Sequence, residues 1–180
     1  SMGVAAGDYD NDGWVDIYLT NLEYNELWHN NGDGPFTDTA AVAGVNVDVW
    51  SVSASFFDYD RDGWLDLYVG NYVDFSVRTH KPCFTQNSAR DYCGPRSYNE
   101  LPDRLFRNRG DGTFEDVSGV SGIASEFGAG LGVAATDSNR DGWVDLYVAN
   151  DQSPNQLWMN QKNGRFINDA MLAGVAVNMD

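Results

Sequence analysis

Three nine-residue segments place oxygen-bearing side chains at alternate positions around a glycine: Asp8-Tyr-Asp-Asn-Asp-Gly-Trp-Val-Asp16, Asp58-Tyr-Asp-Arg-Asp-Gly-Trp-Leu-Asp66 and Asp137-Ser-Asn-Arg-Asp-Gly-Trp-Val-Asp145. The donors are Asp8, Asp10, Asp12 and Asp16 in the first, Asp58, Asp60, Asp62 and Asp66 in the second, and Asp137, Asn139, Asp141 and Asp145 in the third. Carboxylates at positions one, three and five can converge on one hard cation when a glycine at six permits the sharp turn, and position seven adds a backbone carbonyl, here from Trp14, Trp64 and Trp143. All-oxygen donors of flexible geometry suit Ca²⁺, and no Cys or His lies close enough in sequence to suggest zinc. Four carboxylates packed together without a cation are costly, which weighs against plain Asp-rich turns. An EF-hand needs a bidentate Glu at position twelve. That position holds Leu19, Val69 and Val148, so the aspartate at position nine must close each site within a strand–loop–strand hairpin. Three Ca²⁺ sites are expected.

The elements around the loops repeat with them. Each loop runs into an alternating strand, Ile17-Tyr18-Leu19, Leu67-Tyr68-Val69 or Leu146-Tyr147-Val148. A second landmark follows at Asn25-Glu-Leu-Trp-His-Asn, Asp103-Arg-Leu-Phe-Arg-Asn and Asn155-Gln-Leu-Trp-Met-Asn, and a third at Ala43-Gly44-Val45, Ser121-Gly122-Ile123 and Ala173-Gly174-Val175. Loop starts are 50 residues apart (8 to 58) and then 79 (58 to 137), so the middle unit carries an insertion of about 28 residues within roughly 71–101. Small residues before each loop (Val4–Gly7, Val52–Ser55, Gly130–Ala135) suit a crowded inner strand. Asn-Gly and Asp-Gly pairs at 31–34, 109–112 and 162–164 mark hairpins. No segment has a convincing apolar period of 3.6. The expectation is an all-β chain of β-propeller blades, each of four antiparallel strands, with three blades present. Their expected bounds are 1–45, 46–123 with the insertion, and 124–175, with 176–180 opening a further repeat or forming a tail.

Composition agrees. The chain of 180 residues carries 11 Lys+Arg against 27 Asp+Glu, a net charge of −16. Of the acids 22 are Asp and only 5 are Glu, and Asp favours turns over helix interiors. Such a balance excludes a nucleic-acid backbone as the expected partner, since phosphate binding needs clustered Lys and Arg. No apolar run reaches the roughly 18–20 residues of a membrane span, and 42% hydrophobic residues argue against disorder.

The spacing Asp-x-Asp-x-Asp-Gly-x-x-Asp, followed by a hydrophobic strand and Asn-x-Leu-Trp/Phe-x-Asn, resembles FG-GAP/VCBS repeats, the calcium-loop blades also found in integrin α-subunit propellers. Within the insertion, Asn71-Tyr-Val-Asp-Phe, Pro82-Cys-Phe, Asp91-Tyr-Cys-Gly-Pro and Pro102-Asp103-Arg-Leu-Phe are similar to the subgroup of cartilage acidic protein and its bacterial relatives. The resemblance covers essentially the whole chain. It implies a propeller, Ca²⁺ in the loops, an extracellular or periplasmic location and a binding or adhesion role. Asn139 departs mildly from the pattern, keeping an oxygen ligand with one charge fewer.

Cys83 and Cys93 either bridge or remain free thiols on spacing alone; the resemblance favours a disulfide, which would close a loop expected to lack strands and contribute about 3 kcal/mol. Arg109-Gly110-Asp111 spells an adhesion tripeptide, but it occupies the same hairpin position as Asn31-Gly32-Asp33, which reads as a turn. Aromatics repeating in register (Trp14, Trp64, Trp143; Trp28, Phe106, Trp158) are expected to pack between blades. Unmatched residues of the insertion are the ligand-binding candidates: Arg78, His80, Arg90, Tyr92, Arg96 and Tyr98. With two His and no G-x-S-x-G elbow, no hydrolytic triad is visible. The reading is a calcium-stabilised interaction or adhesion module with a protein or glycan partner and no enzyme activity; the alternatives are a carbohydrate-binding propeller and a propeller-fold enzyme such as a polysaccharide lyase. Further blades are expected from a longer chain or a symmetric oligomer.

Overall fold

The structure, a computed structural model, describes residues 1–177. Residues 178–180 of the expected fourth-repeat start lie outside the described residues. In chain order the elements are β1 (Gly3–Gly7), β2 (Asp16–Thr20), β3 (Glu26–Asn30), β4 (Phe36–Asp38), α1 (Ala40–Ala43), β5 (Ser51–Phe57), β6 (Asp66–Asn71), β7 (Cys83–Phe84), β8 (Arg90–Asp91), β9 (Leu101–Pro102), β10 (Arg104–Asn108), β11 (Phe114–Asp116), α2 (Ser118–Ser121), β12 (Phe127–Gly128), β13 (Gly130–Thr136), β14 (Asp145–Asn150), β15 (Gln156–Asn160), β16 (Phe166–Asn168) and α3 (Ala170–Ala173). Three four-stranded antiparallel sheets result, β1-β2-β3-β4, β5-β6-β10-β11 and β13-β14-β15-β16, the blade architecture that the repeats imply. Register is the same in each: Ile17 faces Trp28, Leu67 faces Phe106 and Leu146 faces Trp158.

The inner strands β1, β5 and β13 lie side by side. Their small residues follow from that crowding. A Cβ at Gly3 would sit 2.2 Å from the Val52 carbonyl oxygen, and one at Gly130 would sit 3.0 Å from that of Asn71. Two apolar cores fill the gaps between consecutive sheets. Tyr9, Tyr18, Leu27 and Val45 of the first sheet's unit meet Leu67, Val69, Phe106 and Phe114 of the second. Tyr59, Tyr68, Leu105 and Ile123 then meet Leu146, Val148, Trp158 and Phe166 of the third. Each fully buried Leu or Val there contributes about 1.5–3 kcal/mol.

A one-turn helix closes every unit, which the search for a 3.6 period could not reveal in four residues. Each ends at a left-handed glycine, Gly44, Gly122 or Gly174, with φ of 78°, 91° and 71°. The recurrent Gly of the third landmark is therefore the residue that lets the chain leave a helix.

The insertion leaves from the end of β6 opposite the acidic loop and, contrary to expectation, is not strandless. It contains the β7–β8 hairpin, a short 3₁₀ turn at Pro95–Ser97 and β9, which pairs with β12. Cys83 and Cys93 form a disulfide across it. Tyr72 Oη donates to Asp151 Oδ2 at 2.6 Å, and an Arg96 guanidinium nitrogen donates to the Gln152 carbonyl at 3.3 Å, so the insertion is tied to the third unit. Among the described residues no helix is long and apolar enough to cross a membrane.

Candidate metal centres

The three acidic loops share one backbone conformation. Position four is left-handed in all of them (Asn11, Arg61 and Arg140, φ 56°, 63° and 61°), and position six is glycine at φ 92°, 89° and 86°. The side chains hold that shape themselves. The position-one aspartates accept the amides of positions five and six: Asp8 from Asp12 and Gly13 at 3.1 and 2.9 Å, Asp58 from Asp62 and Gly63 at 3.2 and 3.0 Å, Asp137 from Asp141 and Gly142 at 3.0 and 2.9 Å. Position five accepts the amide of Trp14, Trp64 or Trp143 at 2.8–3.0 Å. These Asx-type bonds explain why Asp outnumbers Glu here; a longer side chain would overreach.

Carboxylate oxygens of Asp8, Asp10 and Asp12 lie within 4.8 Å of one another, as do those of Asp58, Asp60 and Asp62. Burial pushes the Asp10 carboxyl above its ordinary range, reinforced by Asp16 and Asp12. It does the same at Asp60, where Arg107 opposes the rise. One oxygen, Asp10 Oδ1, is buried with no hydrogen-bond partner. An orphaned carboxylate oxygen among three acids is the donor set that a hard divalent cation fits. In the third loop Asn139 Nδ2 donates to Asp141 Oδ2 at 3.0 Å, so its amide supplies internally part of what the other loops leave to an outside charge.

Position nine does more than its sequence role suggests. Asp16, Asp66 and Asp145 are fully or almost fully buried. Each spans two backbone amides, one in its loop and one at the end of the third strand of its sheet. Asp16 accepts from Tyr9 (3.1 Å) and Asn30 (2.8 Å), Asp66 from Tyr59 (3.0 Å) and Asn108 (2.9 Å), Asp145 from Ser138 (3.1 Å) and Asn160 (2.9 Å). Burial pushes Asp66 up to about 7 against the pull of those amides. The third-strand asparagines then link the sheets. Asn108 Nδ2 donates 2.8 Å to the Tyr9 carbonyl and Asn160 Nδ2 donates 2.8 Å to that of Tyr59, each in the preceding loop. Their register within the repeat was visible in sequence; their reach into the neighbouring unit was not.

A further position was missed by reading the loops alone. The residue before each of these asparagines is His29, Arg107 or Met159. His29 Nδ1 lies 3.3 Å from Asp10 Oδ2 and 3.2 Å from Asp16 Oδ1. Arg107 Nε lies 2.7 Å from Asp60 Oδ2, and its NH2 group 3.2 Å from Asp62 Oδ2.

Of the loop tryptophans expected to pack between blades, Trp143 does meet the preceding unit, with the Arg61 guanidinium 5.5 Å from its ring centre, whereas Trp14 and Trp64 turn to their own sheets. Trp14 and Trp64 cover the third-to-fourth-strand turns of their own sheets, where a Cβ on Gly32 or Gly110 would come within 2.6 or 2.9 Å of the indole. Phe106 and Trp158 do lie in the inter-sheet cores. Arg109-Gly110-Asp111 forms the β10–β11 turn, with Asp111 accepting the amide and hydroxyl of Thr113 at 3.0 and 2.6 Å. The six insertion candidates are spread out. Arg78 lines a groove with Tyr24, Asp48, Trp50 and Phe75, whereas Arg96 and Tyr98 line another with Lys81 and Asn99. His80 packs edge-on against Phe75, and Arg90 and Tyr92 are exposed on and beside β8.

Repeated four-stranded sheets, each with one such loop between its first two strands, define an FG-GAP repeat domain of propeller-blade type, and the FG-GAP-like repeat family matches residues 2–69 and 92–148, so the chain belongs to that family. The unmatched residues between them fall in the insertion. Among individual proteins, it is similar to cartilage acidic protein 1 of Xenopus tropicalis, 42% identical over 65 residues that make up 36% of this chain and 10% of that protein. Cartilage acidic protein 1 of Homo sapiens is 45% identical over 58 residues, 32% of this chain and 9% of that protein. The matched stretch thus covers about a third of this chain and about a tenth of each relative's length.

Proposed function

We propose that this chain is a Ca²⁺-stabilised propeller module for protein interaction or adhesion outside the cytoplasm, without catalytic activity of its own. The observation that carries the reading is the buried, unpartnered Asp10 Oδ1 amid Asp8 and Asp12, in a loop whose conformation recurs twice more. The residues that would hold the ions are Asp8, Asp10, Asp12, Asp16 and the Trp14 carbonyl; Asp58, Asp60, Asp62, Asp66 and the Trp64 carbonyl; and Asp137, Asn139, Asp141, Asp145 and the Trp143 carbonyl. A bound Ca²⁺ supplies two positive charges to each carboxylate cluster. The chain's own part is to fix the hairpin between the first two strands of each unit, through the Asx bonds and the position-nine clamps. Units of 1–45, 46–123 and 124–175 follow, one per loop.

A disulfide and relatives named for cartilage, an extracellular tissue, support an oxidising extracytoplasmic setting. The net charge of −16 disfavours nucleic acid and leaves protein or glycan as partner. A groove lined by Tyr24, Trp50 and Phe75 beside Arg78 favours glycan as the second reading. Thermal melting tests the metal: EDTA lowers the Tm by several degrees, and excess Ca²⁺ but not Mg²⁺ restores it. A melt unchanged by chelator refutes calcium stabilisation.

A further inference from the structure

The three loops differ in what the third strand presents to them, and the difference is one of charge. His29 reaches the first loop, Met159 lies beside the third with its Sδ 3.6 Å from Ser138 Oγ, and Arg107 lies against the second. Arg107 takes the outward oxygens of two of the three clustered carboxylates, Asp60 Oδ2 at 2.7 Å and Asp62 Oδ2 at 3.2 Å. These are positions three and five, the side chains a cation would need. A guanidinium stays charged at any working pH and matches carboxylates with fixed N–H directions. The remaining acid, Asp58, has its two oxygens on the amides of Asp62 and Gly63. The chain itself therefore holds the second loop in shape and offsets part of its negative charge. The side chain of Arg107 is 45% exposed, so it can swing into solvent without leaving a buried charge behind. The nearest parallel is in the third loop, where Lys162 Nζ comes 3.2 Å from Asp141 Oδ2 but meets only that one carboxylate.

We propose that Arg107 is a tethered competitor for the cation of the second loop: it keeps Asp58–Asp66 folded when Ca²⁺ is absent and weakens that loop's hold on Ca²⁺. The proposal rests on the calcium reading above. It adds that the middle unit, packed on both sides, is insulated from calcium loss while its neighbours are not.

The test is calcium titration by calorimetry, with Trp-sensitised Tb³⁺ luminescence as a second probe, on the protein and its Arg107→Met variant, Met being the residue at the equivalent position of the third repeat. Arg107→Gln, which keeps hydrogen bonding without charge, serves if Met disturbs folding. The expected result is one site tightened about tenfold, since removing a bidentate charge competitor from a partly exposed site is worth about one decade. The variant's Tm in EDTA falls while its Tm in saturating Ca²⁺ does not. Adding Asp60→Asn to Arg107→Met cancels the gain, which places it in the second loop. Unchanged isotherms with equal Tm losses in EDTA and Ca²⁺ would make Arg107 a plain structural ion pair and overturn the proposal. Absence of any Ca²⁺ binding at millimolar concentration in all variants would refute the calcium reading itself, and the competitor with it.

Discussion

Asp103 offers the sharpest test of how the repeat holds together. The equivalent residues of the other units are Asn25 and Asn155, and all three accept the amide at the end of their second strand, from Asn21, Asn71 and Asn150, at 2.8–2.9 Å. Only Asp103 is ionisable. It is 3% exposed, and its other oxygen receives the hydroxyl of the fully buried Tyr68. Burial pushes its carboxyl up to about 7, despite the Tyr68 hydroxyl and the Asn71 amide, which both favour the charged form. Its unfolded value is about 4, and each pKa unit is about 1.36 kcal/mol, so the ceiling on the pH-dependent stability it carries is about 4 kcal/mol. The folded pKa is raised, so this contribution is complete below about pH 4, declines as pH rises, and is lost above about pH 7. Asp103→Asn keeps the acceptor for the Asn71 amide and removes the proton. Between pH 5 and 8 the wild type should therefore lose about 2–3 kcal/mol relative to the variant. Urea unfolding followed by Trp fluorescence, in saturating Ca²⁺ to hold the loop carboxylates ionised, measures this directly. Parallel pH profiles for the two proteins would refute the assignment of a buried, neutral Asp103.

Asn108→Ala and Asn160→Ala each strand a buried carbonyl of the preceding loop and should cost about 2–3 kcal/mol in denaturant unfolding. Asn30→Ala, whose side chain bonds within its own unit, Nδ2 to the Val15 carbonyl and Oδ1 to the Gly32 amide, should cost about 1 kcal/mol. Reducing the Cys83–Cys93 bridge should leave the main transition largely in place while exposing the insertion to protease; thiol titration of denatured, unreduced protein should find no free thiol. Tyr72→Phe, which removes the 2.6 Å bond to Asp151, should loosen the same insertion and lower stability by about 1 kcal/mol.

The amino-acid sequence by itself determined the repeat, the strand order and the loop geometry, because each of these is local. Alternation over five residues makes a strand, Asn-Gly and Asp-Gly make a tight turn, and Asp at positions one and five of a loop bonds amides at most five residues away. The four-residue helices escaped because one turn has no period to detect, although their closing glycines were already visible as a landmark. What only the tertiary structure decided acts across much longer separations. The Asn108 and Asn160 bonds bridge 99 and 101 residues, Arg107 meets Asp60 across 47, and Tyr72 meets Asp151 across 79. Sequence spacing names the residues of a loop, but stacking one sheet on the next determines which side chain enters it. That is why three nearly identical acidic loops, one beside a histidine, one beside an arginine and one beside a methionine, differ in charge balance.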